Sequence, residues 1–233
     1  MNQKTDSVPC SPQTAALHHE VLRHWAEWRR THEDCPDVIS FDFHTDTLSA
    51  VRRGVPPPEP GAWQNPQTVE NVVAALHHDE HFDWALRSGL VGRVLIFSIA
   101  PQNGPCAHER MEVLRHPDLP DVNDLLNHPE SFRALAEQML SDAWLKPLLE
   151  HCRGWRNPLI LDLDCDYILT EKTMSVPLHS VFGELLRKAA LVTFSRESDW
   201  VHLLRFPGET ITGESVVQTL LRQFQFQPAS SCA

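Results

Sequence analysis

DVISFDFHTDTL, residues 37–48, is the stretch that decides the fold. Its first part, DVISFDF (37–43), is a compact run rich in β-branched and aromatic residues. Such a run reads as a strand buried on both faces, as in a parallel sheet covered by helices. Its end is different: Asp42, His44 and Asp46 follow at alternate positions. In an extended chain, residues two apart project to the same side, so the three converge on one point. Two carboxylates and an imidazole gathered there call for something positive between them.

Working outward, three more runs read as buried strands: RVLIFSIA (93–100), PLILDLD (158–164) and ALVTFS (190–195). Helical periodicity fills the stretches between them. In 14–30, Leu17, Val21, Trp25 and Trp28 recur every three or four residues. Further helices are predicted over 68–78, 129–152, 176–189 and 213–224, with Pro129 at a first helical position and Thr212 as a cap. This alternation predicts an α/β fold: a single doubly wound domain, with a mostly parallel central sheet flanked by helices. The domain is expected over 13–225, after a disordered N-terminal segment (1–12) and before a frayed C-terminal tail (226–233). The stretches 52–63 and 101–110 read as loops, and the Pro-rich 55–60 with Trp63 is expected to line an entrance. Ligands of such folds gather beyond the carboxyl ends of the strands, where the alternating carboxylates fall.

Bulk properties narrow the function. The chain has 233 residues, 42% hydrophobic and 22% charged, with a formal charge of −11. It has no basic patch to displace counterions from phosphates, so no nucleic-acid partner is expected. The six cysteines have no C-x-x-C spacing and read as reduced thiols. The N-terminus lacks an apolar signal core, and the longest apolar stretch, VLIFSIAP, is too short to span a bilayer. A cytoplasmic protein with no membrane partner is expected, its oligomeric state left open.

LDLDCDY (161–167) repeats the theme, with Asp164 and Asp166 following Asp162 at alternate positions. One Asp-x-Asp at a strand end is as readily a cap or turn. Two clusters at the ends of two buried strands are harder to explain that way. Two carboxylates ~4 Å apart repel by about 4 kcal/mol at an effective dielectric of ~20, so a converging set needs protons or cations. Oxygen-rich ligation with one or two imidazoles suits manganese or magnesium better than structural zinc, and the number of carboxylates favours two ions.

With LHHEVL (17–22) placed first, the series HHEVL, FDFHTD and LDLDCDY resembles the ligand motifs of the arginase and histone-deacetylase superfamily. It is most similar to an arginase-related family with the pattern H-x-E, F-D-x-H-x-D, L-D-x-D-x-D. That family includes bacterial peptide arginases, which convert arginine side chains of ribosomally made peptides to ornithine. The resemblance implies an arginase-like domain holding two Mn2+ ions, with Mg2+, Co2+ and Zn2+ as alternatives. It implies His18 as the first ligand, with His19 the competing choice. Asp42 would bridge the metals, and His44 and Asp46 complete the central trio. Of the last motif, Asp164 and Asp166 would be ligands and Asp162 would orient them, the choice between Asp162 and Asp166 staying open. Glu197 in TFSRESDW stands where arginases keep the carboxylate that grips the guanidinium, a role its bidentate chemistry suits. Without the resemblance it reads as an exposed glutamate paired with Arg196 or another cation. His81 in HHDEHFDWAL is implied as the proton carrier, oriented by Asp83.

The reaction so implied is attack of a metal-bridging hydroxide on the guanidinium carbon, releasing urea. A peptidyl arginine in a precursor peptide is favoured over free arginine, because no N-x-H-G-like segment is present to read the α-groups. Rival readings are a zinc-dependent deacetylase-like amidohydrolase, a non-catalytic metal-binding interaction protein and a generic two-metal phosphoesterase.

Overall fold

A computed structural model of the chain describes residues 12–102, 104–121 and 129–224. The expectations for the two termini, Pro12 apart, and Cys10 and Cys232 lie outside these residues. The described chain forms one six-stranded sheet: β1 (Gln13–Ala15), β2 (Asp37–Asp42), β3 (Val94–Ser98), β4 (Met111–Arg115), β5 (Leu159–Asp164) and β6 (Leu191–Ser195). Its order is β1-β6-β5-β2-β3-β4, and every neighbouring pair is parallel. The helices are α1 (Val21–Thr31), α2 (Pro66–Val73), α3 (His81–Arg87), α4 (Pro129–Ala136), α5 (Asp142–His151), α6 (Val181–Lys188), α7 (Ser198–Leu204) and α8 (Gly213–Gln223). The doubly wound parallel sheet read from the sequence is therefore present.

Strand alternation sorts the core into two layers. Val38, Val94, Ile96, Ile160 and Leu191 bury one face of the sheet against α1, α2 and α3. Ile39, Phe41, Phe97, Leu161, Leu163 and Phe194 bury the other against α4, α5, α6 and α8. From β2 the chain moves outward to β3 and β4, then returns to the opposite side of β2 with β5 and β6. The order thus reverses between β2 and β5, and the crevice at their carboxyl ends is the place this topology offers a ligand.

Several elements differ from expectation. The N-terminal helix starts at Val21 and not at 14, because Gln13–Ala15 pairs with β6 as an edge strand. The single helix expected over 129–152 is two, α4 and α5; Ser141 caps the second by accepting the Trp144 N–H. The helix expected over 68–78 spans 66–73, and that over 176–189 starts at Val181, behind the Ser180 cap. Strand β4 lies within the stretch after 110, where MEVLR is only partly buried.

Candidate metal centre

The site grows out of the register of three adjacent strands. Ser40 of β2 stands beside Asp162 of β5, which stands beside Thr193 of β6. Two residues further along the same face come Asp42, Asp164 and Ser195, and Asp164 pairs with Ser195. Two polar rows are thus stacked under α1 and α3, the lower inside the sheet and the upper at its rim.

His18 reaches the rim from the turn between β1 and α1. Two carboxylates hold that turn. Glu20 accepts the N–H groups of Ala16 and Leu17, each at 3.0 Å, and Glu197 accepts the His18 N–H at 2.6 Å. The imidazole is 1% exposed, with both nitrogens engaged. Nε2 lies 2.7 Å from Asp162 Oδ2, while Nδ1 lies 2.8 Å from Asp46 Oδ2, 3.2 Å from Asp164 Oδ2 and 3.6 Å from Asp42 Oδ2. On the other side of Asp42, His44 Nδ1 lies 3.8 Å from Asp42 Oδ1 and 2.9 Å from Asp166 Oδ2.

The convergence is not the product of strand alternation alone. β2 ends at Asp42, and Asp46 adopts a left-handed backbone with φ of 39°. The loop, not an extended strand, swings His44 and Asp46 back toward Asp42. Likewise Asp162 and Asp164 share a face of β5, but Asp166 sits in a 3-10 turn, Cys165–Tyr167, where its N–H is accepted by Asp164 Oδ1 at 3.3 Å. The other non-glycine residue with positive φ among the described residues is Glu197, at 36°. Both therefore lie at the site, where such strain is held only by surroundings that over-determine it.

The electrostatics are those of an anion cluster. Burial, followed by repulsion from Asp46 and Asp166, pushes the Asp42 carboxyl well above its usual range. Burial and then Asp166 do the same to Asp164. Burial opposes a charge on His18, yet attraction to Asp162 and Asp164 overcomes it and holds its pKa well above the ordinary imidazole value. Burial also raises Glu197.

These groups fit divalent metal. Donor atoms of His18, Asp42 and Asp164 lie within 4.8 Å of one another, as do those of Asp42, His44 and Asp166, and those of His18, Asp46 and His81. Asp42 Oδ2 and Asp166 Oδ2 are buried acceptors with no hydrogen-bond partner, although His44 Nδ1 is 2.9 Å from the latter. Acceptors that face other acceptors at this range, unpaired and enclosed, are what a cation between them would satisfy. Asp42 presents one oxygen to each group, as a bridge would. A further trio, His77, Asp79 and Glu80, is part-exposed, and Glu80 is taken by Arg53 at 2.6 Å.

The structure brings together His18, Asp42, His44, Asp46, Asp164 and Asp166, and places His19 outside these clusters. Asp162 lies on the far side of His18, where Ser40 Oγ (2.8 Å) and Thr193 Oγ1 (2.5 Å) donate to it. Glu197 is 4% exposed; Arg196 turns instead to Glu214. Asp83 does not orient His81, because two residues along a helix it faces elsewhere: it accepts from Ser49 and from Arg87. The ring of His81 is fully enclosed, and burial followed by the charge of His18 drives its pKa well below the usual value.

A cavity of about 260 Å³ opens beside the cluster, lined by His44, Thr45, Asp46, Thr47, Leu48, His78, Asp79, Ala100 and Pro101. The Pro-rich loop does not line it. Pro56 and Pro58 face a separate groove with Val72 and Trp84, and Trp63 is buried beneath Arg29. Sequence reading missed Trp200, whose ring meets that of His44 at 4.8 Å, and the Ser40–Thr193 pair. The pair had a signal: each lies two residues before a rim residue of its strand, on the same face.

No protein-family profile matches the chain, and no curated protein does. Among solved structures it is similar to the proclavaminate amidino hydrolase from Streptomyces clavuligerus, at 14% identity over 91% of this chain and 63% of that one, with a TM-score of 0.45. The chain spans less than two thirds of that protein's length, and the two superpose only loosely. Among the described residues, no helix is long and apolar enough to cross a membrane.

Proposed function

We propose that the chain is a two-metal hydrolase of the arginase and histone-deacetylase superfamily that acts on the guanidino group of peptidyl arginine, leaving ornithine and releasing urea. The observation that carries this is Asp42, whose two oxygens face separate ligand groups: His18 with Asp46 and Asp164 on one side, His44 with Asp166 on the other. A one-zinc deacetylase-like site would have no use for the second group. Manganese is the favoured ion because the donors are mostly carboxylate. Divalent ions held there supply the nucleophile, by lowering the pKa of a water from ~15.7 towards neutrality.

The chain's own residues supply the rest. Glu197 accepts two parallel N–H bonds from a guanidinium, a fork that lysine does not present. Its carboxylate is buried and accepts the His18 N–H at 2.6 Å, which supports a role beside the cluster. His78, half-buried in the mouth, has access to solvent and to a departing amine. The mouth is acidic and apolar, with Asp79 and Leu48 on its wall and no lysine or arginine among its lining residues. Such a wall favours an arginine whose α-carboxylate is locked in a peptide bond, as in a ribosomally made precursor undergoing maturation in the cytoplasm.

The test is urea release from arginine peptides and from free arginine by manganese-loaded protein. Urea from peptides, with Glu197→Gln raising KM more than tenfold at unchanged metal content, supports the reading. Loaded protein that releases urea from neither sinks it.

A further inference from the structure

His81 is the one member of the buried cluster that the proposed reaction leaves unused. It opens α3 on the sheet face that carries the two polar rows, and it is 0% exposed. Its ring sits 4.3 Å from that of His18 and 3.9 Å from that of Phe82, with Trp25 at 5.9 Å. Nδ1 lies 2.9 Å from the His78 carbonyl oxygen, which accepts only if that nitrogen carries the proton. The proton is thereby fixed on Nδ1, and Nε2 is left with a lone pair. Nε2 has no partner, although it is fully buried. An enclosed imidazole nitrogen with nothing to bond is destabilising, so its retention calls for a ligand.

That ligand is within reach. One ring nitrogen of His81, one of His18 and an oxygen of Asp46 lie within 4.8 Å of one another. Fixing one ring nitrogen on a backbone carbonyl is also how metal-binding histidines are commonly aimed. From these observations we infer that His81 is a metal ligand through Nε2, sharing the first ion with His18 and Asp46. The two ions would then sit in unequal sites: one with two imidazoles and added carboxylates, the other with His44 alone beside Asp42 and Asp166. The imidazole-rich site is the softer and tighter of the two, and takes the first equivalent of a metal such as cobalt(II).

This inference rests on the two-metal reading, and the experiment separates the two. Manganese and then cobalt(II) are titrated into chelator-stripped wild type, Asp42→Ala, His81→Asn and His81→Phe, with melting curves to confirm folding. Phenylalanine fills the space between Phe82 and Trp25 and keeps the apolar packing. Two ions in wild type, with the tighter site weakened more than about 100-fold in both His81 variants, support the assignment; residues that only orient a ligand cost 10–100-fold.

Wild type that binds two ions while both His81 variants match its affinities overturns the His81 assignment alone. Wild type that binds no metal overturns both readings. A measurement on wild type guards against variants that fail to fold. After transfer to D2O, cobalt-loaded protein should keep two hyperfine-shifted, slowly exchanging ring N–H signals, from His18 Nε2 and His81 Nδ1, both buried. One such signal overturns the assignment.

Discussion

Asp42 concentrates the tension of the site in one side chain. It is completely buried, one oxygen accepts the His44 N–H at 2.7 Å, and the other has no partner. Burial and like-charged neighbours raise its pKa above the ordinary carboxylate value, so without metal the folded chain holds this proton more tightly than the unfolded chain does. The sign follows: without metal, the ionised group costs stability at any pH above the unfolded value, and the cost is relieved as pH falls through the folded one. Asp42→Asn keeps an oxygen for His44 and removes the charge. Stripped of metal at neutral pH, the variant should be more stable than wild type by about 1–3 kcal/mol, or roughly 2–12 °C in Tm. Manganese should then raise wild type and leave the variant unmoved. A stripped variant that melts below wild type would show that the charge is not the burden described. At this scale the sequence was informative where chemistry is written in residue type, as in Asp42, His44 and Asp46. It was silent on the positive φ of Asp46 and Glu197, since neither is a glycine and no local rule forces a left-handed turn there.

Between strands, the row Ser40–Asp162–Thr193 converts sheet register into the orientation of His18. Trp25 of α1 donates to Thr193 Oγ1 at 3.2 Å, Thr193 donates to Asp162, and Asp162 holds His18 Nε2. A helix, two strands and the turn that carries His18 are joined by one buried chain of hydrogen bonds. Thr193→Val keeps the shape and deletes the hydroxyl, leaving the Trp25 N–H unpaired. The expected loss is about 1–3 kcal/mol in equilibrium unfolding, with manganese affinity reduced about 10–100-fold at the ion nearest His18. Unaltered affinity in a manganese titration would reduce the row to packing. The four central strands were legible because their runs are buried on both faces and look alike in any register. β1 and β4 were not: one is three residues inside a helical pattern, the other a part-exposed edge with no continuous apolar run. α7 was missed because most of its residues are exposed, so no apolar face shows in SDWVHLL.

At the scale of the molecule, the candidate ligands come from positions far apart in sequence. His18 follows β1, Asp42 to Asp46 follow β2, and Asp164 and Asp166 end β5 and its turn. The unfolded chain offers no such assembly, so ions bound there stabilise the native state alone, by RT ln(1 + [L]/Kd). At one hundred times Kd that is about 2.7 kcal/mol, or roughly 5–11 °C in Tm for a chain of this length. Melting temperature should therefore climb with the logarithm of free manganese in a single transition, because both layers of the core share one sheet. The elements that metal would secure are not the strands. They are the turn around His18, held otherwise by Glu20 and Glu197, and the loop after Asp42, where Asp46 has a backbone that few side chains adopt. Chelation should therefore speed amide exchange at residues 16–20 and 43–50 while the amides of β2, β3 and β5 stay protected. A Tm indifferent to manganese would mean that no ion is shared among these strands. Exchange that accelerates evenly through the sheet would mean that metal supports the whole fold and not the rim.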